Sequence, residues 1–213
     1  MILALDTATD FPSLALGTAA DPGAELRLAD RRALSRDIAR VTAELCRARG
    51  IAVPGVAGVV VADGPGSFTG LRIGAAFAKG LARALGVPLY AAPSLLGAAA
   101  GAADRAGCAR PLEVEVRYDA LRGQCYRAVY RITADGAEVL AAPALAPSGD
   151  AVATGGAIRA SETDASAAAL LRLLGRLGGP LVVAEPAGWQ PDYGRPAEAE
   201  ARRLAGGGGP AAA

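Results

Sequence analysis

The sequence predicts an α/β protein built as two small units that meet near residue 106, and three observations predict it. In residues 1–105, short apolar runs alternate with longer segments whose apolar residues recur every three or four positions, the mark of strands followed by helices. Beyond residue 106 the texture changes to three neighbouring runs that alternate in the manner of strands, followed by one helical period. The 213 residues are 52% hydrophobic, so a sizeable core is available to one large domain or two small ones.

Each element follows in order. Ile2 to Leu5 is apolar and stops at Asp6-Thr7-Ala8-Thr9; Ser13 to Leu16 resumes strand character, so 1–17 reads as a hairpin around a polar turn. Asp21-Pro22-Gly23 is a second turn signal, and Glu25 to Leu28 a third short strand. Leu34, Ile38, Val41 and Leu45 form one apolar stripe on a helix from about Leu34 to Arg49, stopped by Gly50. Gly58 to Ala62 is a buried strand, GVVVA. After the loop ADGPGSFTGLRIG, Thr69 is the expected cap of a helix from Gly70 to Leu85, with Gly86 at its C′ end. Val87 to Ala91 reads as a strand and Pro93 to Arg105 as an alanine-rich helix. In the second unit, Leu112–Tyr118, Gln124–Ile132 and Glu138–Ala141 read as strands, and Ala151–Thr154 as a short strand before Gly155-Gly156. Ser166–Leu177 is helical in period, and the tail 205–213 is expected to be disordered.

The loop at 62–74 invites a phosphate-binding reading. A Walker loop needs GxxxxGK[ST], and no such ending is present. The dinucleotide pattern GxGxxG is nearer, because Gly64-Pro65-Gly66 follows a strand. Gly70 arrives one residue late, however, and no carboxylate ends the next strand. The plainer reading is a tight turn in which Gly64 and Gly66 permit positive φ, leading through Ser67 and Thr69 into a helix N-terminus able to hold an anion.

The helix that follows says more. Gly70, Gly74, Ala78 and Ala82 recur every four residues as a ridge almost without side chains, which lets another element approach closely. Leu71 and Ala75 help line another apolar face, and Arg72, Lys79 and Arg83 are its only charges. A helix apolar on most sides is expected to be buried on most sides. Two coverings are open: the neighbouring helix 34–49, or the helices of a partner protein. The second makes Leu34, Ile38, Val41, Leu45, Gly70, Leu71, Gly74, Ala75, Ala78, Lys79 and Ala82 an expected partner interface.

Composition excludes much else. There is no histidine, so Ser-His-Asp and Cys-His pairs, HExxH zinc sites and imidazole acid/base chemistry are absent from this chain. The net charge of +1, from 22 basic and 21 acidic residues, offers no basic excess for gripping nucleic acid alone. Cys46, Cys108 and Cys125 are widely spaced and odd in number, as expected of reduced thiols. Met1 leads directly into ILALDTATD, and no apolar run reaches the roughly 18 to 20 residues of a membrane span. The expectation is a cytoplasmic protein with no bound metal.

DTAT at 6–9, GPGSFTGLRIG at 64–74, DALRGQCY at 119–126 and P-x-Y-x-R at 191–195 together resemble the TsaB (YeaZ) family of bacterial threonylcarbamoyladenosine-biosynthesis subunits, over about residues 1–195. The resemblance implies the two-lobed fold of the actin, Hsp70 and sugar-kinase superfamily, which is ribonuclease H-like, with a reduced second lobe. The N-terminal lobe would occupy 1–106, with about 191–204 as a candidate completion, and the smaller lobe 107–190. It further implies a non-catalytic partner of the catalytic relative TsaD that works with the ATPase TsaE, forms homodimers through the same face when TsaD is absent, and meets tRNA only within the complex. Threonylcarbamoyl would go to N6 of adenosine 37 in tRNAs reading codons that begin with adenine. No cofactor is expected of this chain, ATP belonging to the TsaD/TsaE assembly. Asp6 and Thr7 would stand at the superfamily's first phosphate loop, and Asp119 and Gly123 at the second, as structural remnants. The chain departs from the family at Leu34, where many members have histidine, and in its shorter second lobe.

Overall fold

The computed structural model describes residues 1–29, 31–107, 111–150 and 157–194. β1 (Ile2–Asp6) and β2 (Ser13–Gly17) form an antiparallel hairpin, and β3 (Glu25–Arg27) pairs outside β2. α1 (Leu34–Ala48) crosses to β4 (Gly58–Ala62), parallel to β1, and α2 (Phe68–Leu85) crosses to β5 (Leu89–Ala92), parallel to β4. α3 (Ser94–Ala106) leads to a second sheet of β6 (Leu112–Asp119), β7 (Gln124–Ile132), β8 (Ala137–Pro147) and β9 (Ile158–Ala160), in the order β8-β7-β6-β9. α4 (Ala167–Leu173) and β10 (Leu181–Val182) return to the first sheet, whose order becomes β10-β5-β4-β1-β2-β3.

Alternation along the strands sorts the first sheet into two unlike faces. Leu3, Leu5, Leu14, Leu16, Val59, Val61 and Leu89 point to α1 and α2. Ala4, Ala15, Val60, Ala62 and Ala92 point to α3 and α4. The second face is made of small residues, so α4 lies close against it, over β1, β2 and β4. α3 packs on α4 and meets Val114, Val116, Tyr118, Ala128 and Tyr130 of the second sheet, which joins the cores of both units.

The structure departs from the sequence reading at several points. α2 begins at Phe68, and its cap is Ser67, whose Oγ accepts from the Gly70 N–H at 3.2 Å; Thr69 lies within the first turn and is exposed. β8 runs well past Ala141, and α4 stops at Leu173, where Leu174 turns extended and Gly175 takes φ +75°. β9 and β10, two or three residues long, lack the length for an alternation signal. Two elements within 107–190 serve the first sheet: β10 pairs with β5, and α4 covers its small-residue face. The Ala167 N–H donates to Ser13 Oγ and Arg27 donates to the Ala165 carbonyl. The expected strand 151–154, Gly155-Gly156, the expected completion beyond Gly194 and the tail lie outside the described residues.

Candidate docking face and the buried phosphate loop

The glycines of the 62–74 loop receive the chain's own backbone. The Ser67 N–H donates to the Ala8 carbonyl at 2.6 Å, and a Cβ at Gly66 would collide with that same oxygen. Gly64, at φ +117°, exchanges bonds of 2.8 Å with Ser94, its N–H donating to Oγ and its carbonyl accepting from the Ser94 N–H. A Cβ at Gly64 would collide with the Asp192 carbonyl. On α2, Thr7 Oγ1 donates to the Gly70 carbonyl at 2.9 Å; a Cβ at Gly70 or Gly74 would strike Thr7. The notch of the ridge is therefore filled by the DTAT turn.

This corrects the expected interface. Leu34, Ile38, Val41 and Leu45 are at most 4% exposed and form the core under α1. Gly70, Leu71, Gly74, Ala75, Ala78 and Ala82 are likewise buried in the chain's own interior. Lys79 Nζ donates to the carbonyls of Ala187 and Trp189 at 3.1 and 2.9 Å. The neighbouring sheet and loops supply the covering that a partner was expected to give at these positions.

What α2 turns outward is a different strip. Thr69, Ala76, Gly80 and Ala84 are exposed, with Ile73, Phe77 and Leu81 half-buried beside them; nothing lies within 4 Å of a Cβ placed at Gly80. At 3.6 residues per turn, Arg72, Lys79 and Arg83 share one edge of this strip and Ile73 and Phe77 the other. Along the basic edge runs a strap, residues 183–194, which sequence reasoning did not interpret beyond quoting its P-x-Y motif. Its ties are spread over the fold: Val183 N–H to Leu89 O at 2.8 Å, Asp192 N–H to Asp63 O at 2.7 Å, and Tyr126 Oη to Tyr193 O at 3.4 Å. The Tyr193 ring lies 4.8 Å from that of Phe68, and the Arg72 guanidinium sits 4.2 Å over Phe68 and 5.9 Å from Tyr193.

The remnant phosphate-loop residues do not converge. Asp6 and Thr7 are fully buried. Asp6 Oδ1 accepts from the Ala8 N–H at 3.2 Å, while Oδ2 has no hydrogen-bond partner among the described residues and faces Gly97 of α3. Burial pushes the Asp6 carboxyl up to about 7; the Ala8 N–H opposes this, Glu25 adds to it and Arg27 opposes it. Tyr118, also buried, donates to the Ser94 carbonyl at 3.1 Å, and its ionisation is pushed up by burial and then by Asp6. Asp119, the next residue along β6, therefore points to the opposite face of the strand. It is exposed, its Oδ1 accepting from the Leu121 N–H at 2.8 Å to shape the turn in which Leu121, Arg122 and Gly123 all have positive φ. Magnesium and nucleotide phosphates, which this superfamily's fold implies, do not fit such a set, because one carboxylate is enclosed beneath α3 and the other faces away. Among the described residues no three His, Cys, Asp or Glu side chains are grouped to hold a metal ion, and no helix is long and apolar enough to cross a membrane. Asp63, at the end of β4, is pushed up to about 6 by burial and by Asp192.

Three antiparallel strands followed by two parallel ones with helical crossovers, plus a smaller second sheet, define a two-lobed protein of the actin-like, ribonuclease H-like class. Residues 28–169 match the family described as TsaD: tRNA N6-adenosine threonylcarbamoyltransferase, and the chain belongs to that family. Within it the chain is similar to TsaB proteins. It is 34% identical over 130 residues to the tRNA threonylcarbamoyladenosine biosynthesis protein TsaB of Escherichia coli (strain K12), covering 61% of this chain and 54% of the relative. To the protein of the same name from Bacillus subtilis (strain 168) it is 44% identical over 73 residues, 34% of this chain and 30% of the relative. The match thus spans about half the first relative's length and less of the second's. The solved structure of YeaZ from Pseudomonas aeruginosa superposes with a TM-score of 0.73 at 25% identity, covering 90% of this chain and 98% of that one. A second structure, described as an uncharacterized protein with similarity to peptidase YEAZ from the same organism, shares the fold at a TM-score of 0.71 and 24% identity.

Proposed function

We propose that this chain is the non-catalytic dimerisation subunit of a cytoplasmic tRNA-modifying complex. It binds a TsaD-type transferase, with TsaE as the third component, and supports transfer of threonylcarbamoyl to N6 of adenosine 37 in tRNAs reading codons that begin with adenine. The observation that carries this reading is the outward strip of α2: Ala76, Gly80 and Ala84 flanked by Ile73 and Phe77 offer an apolar, shallow face to a partner helix. Two further features support it. The chain contains no histidine with which to hold a transferase metal, and Asp6 is enclosed where an active relative of the fold would meet magnesium. In this reading no cofactor is bound here, and ATP is handled by the assembly. The charge of +1 leaves tRNA to be held by the complex as a whole.

The test is Gly80→Arg. Gly80 is exposed and open, so the variant should melt as the wild type does yet lose co-purification with the transferase of the same organism. Unchanged co-purification would overturn the assignment of the strip, and threonylcarbamoyl transfer by the isolated chain would overturn the non-catalytic role.

A further inference from the structure

We infer that the basic edge of α2 selects a partner helix bearing a carboxylate over a second copy of this chain, with Arg72 as the anchor. This rests on the docking strip proposed above and adds its specificity. α2 contains three basic residues and no acidic one across Phe68–Leu85. Lys79 is already committed to the strap's carbonyls, which leaves Arg72 and Arg83 exposed along one edge of the apolar strip.

Arg72 differs from the chain's other well-placed arginines. Arg36 and Arg40 pair with Asp37 and Glu44 on α1, Arg117 and Arg127 with Glu115, and Arg131 with Glu113 and Glu138. Arg72 instead lies against two aromatic faces, Phe68 and Tyr193, and makes no ion pair with a carboxylate among the described residues. Contact with the two rings confines the guanidinium, whose planar fork can take a carboxylate bidentately. Phe68 remains 44% exposed beside it. An aromatic pair holding an arginine next to an open apolar strip has the composition of an interface anchor.

Helices α1 and α2 of a second copy supply no unpaired carboxylate to this edge. An antiparallel two-fold pairing of α2 helices sets the two basic edges on the same side, bringing Arg72 towards Arg83 of the other copy. A parallel pairing sets each basic edge against Ile73 and Phe77. Neither brings a carboxylate from α2, and the acids of α1 are already engaged by Arg36 and Arg40. Charge complementarity therefore favours a different chain: a helix with an apolar stripe and an acidic residue on the flank next to the strap.

The experiment measures two affinities for the full chain and its Arg72→Glu and Arg72→Lys variants: binding to the purified transferase of the same organism, and self-association by sedimentation equilibrium. Arg72→Glu is expected to weaken the heterodimer about a hundredfold while leaving self-association equal to or stronger than in the wild type, since the introduced carboxylate can meet Arg83 of the other copy. Arg72→Lys keeps the charge and loses the planar fork, and should weaken the heterodimer about tenfold. Thermal melting is the control, and both exposed substitutions are expected to melt as the wild type does. Heterodimer affinity unchanged by Arg72→Glu, or self-association weakened in parallel with it, overturns the inference while leaving the docking strip standing. Failure of the wild type to bind the transferase at all overturns both.

Discussion

α2 and α3 are both rich in glycine and alanine at helical spacing, and the fold uses them in opposite ways. From Ser94 to Ala103 every residue of α3 is buried, pressed between the second sheet and α4. α2 buries one ridge and keeps Ala76, Gly80 and Ala84 in the open. Small residues four apart announce that another backbone comes near, without saying whose. The distinction lies in the charges: α3 has none until Asp104 and Arg105, whereas Arg72, Lys79 and Arg83 mark an edge of α2 that stays near water.

The sharpest way to break this contrast is to enlarge a glycine on α3. A Cβ at Gly101 would collide with the Asp164 carbonyl, a backbone atom that cannot swing aside. Gly101→Leu should cost about 3 kcal/mol or more, read as a large fall in the urea midpoint. Wild-type stability in that variant would mean that α3 is not clamped between its neighbours.

The buried end of β1 gives the next effect, through pH. Folded Asp6 titrates near 7, against about 3.9 in an unfolded chain. The native state thus holds an extra proton at this group between these values, and the stability that Asp6 contributes is full below about pH 4 and falls as pH rises through 7. Asp63, near 6, adds a fall of the same sign. Asp6→Asn should remove most of the Asp6 contribution, so that the variant gains on the wild type by about 2 kcal/mol at pH 8 relative to pH 5. Parallel pH profiles for the two proteins would rule out an enclosed, protonated Asp6.

The smallest effect belongs to the open strip. Gly80→Ala should raise stability by up to about 1 kcal/mol, because it improves helix propensity and touches nothing. A loss at that position would show that the strip is covered by the chain itself.

Much of this architecture was legible in the residues. β6 and β7 alternate, α1 carries a clean apolar stripe, and β1, β2, β4 and α3 are short apolar or alanine-rich runs bounded by turn residues; all fall close to where the residues place them. β8 extends beyond its alternating start because residues 142–147 carry two prolines and no alternation, and the apolar period outlasts α4 because Leu174 and Leu177 continue it after the backbone has left the helix. The site was less legible. Gly70 and Gly74 signalled a close approach correctly, but the approaching group, Thr7, is more than sixty residues away and belongs to the same chain. The strap could be quoted as a motif at Pro191 and Tyr193, yet the rings and carbonyls it meets are set by tertiary folding alone. Capping was misplaced by two residues because Ser67 and Thr69 are both good caps, and only the backbone decides between them.

The strap also sets a timetable. β10 and residues 183–194 are among the last described parts of the chain to be synthesised, yet they finish the edge of a sheet begun at Ile2 and pin the flank of α2. Contacts of such long sequence separation form late, so a nascent chain on the ribosome exposes an unfinished α2 until the strap has been made and laid along it.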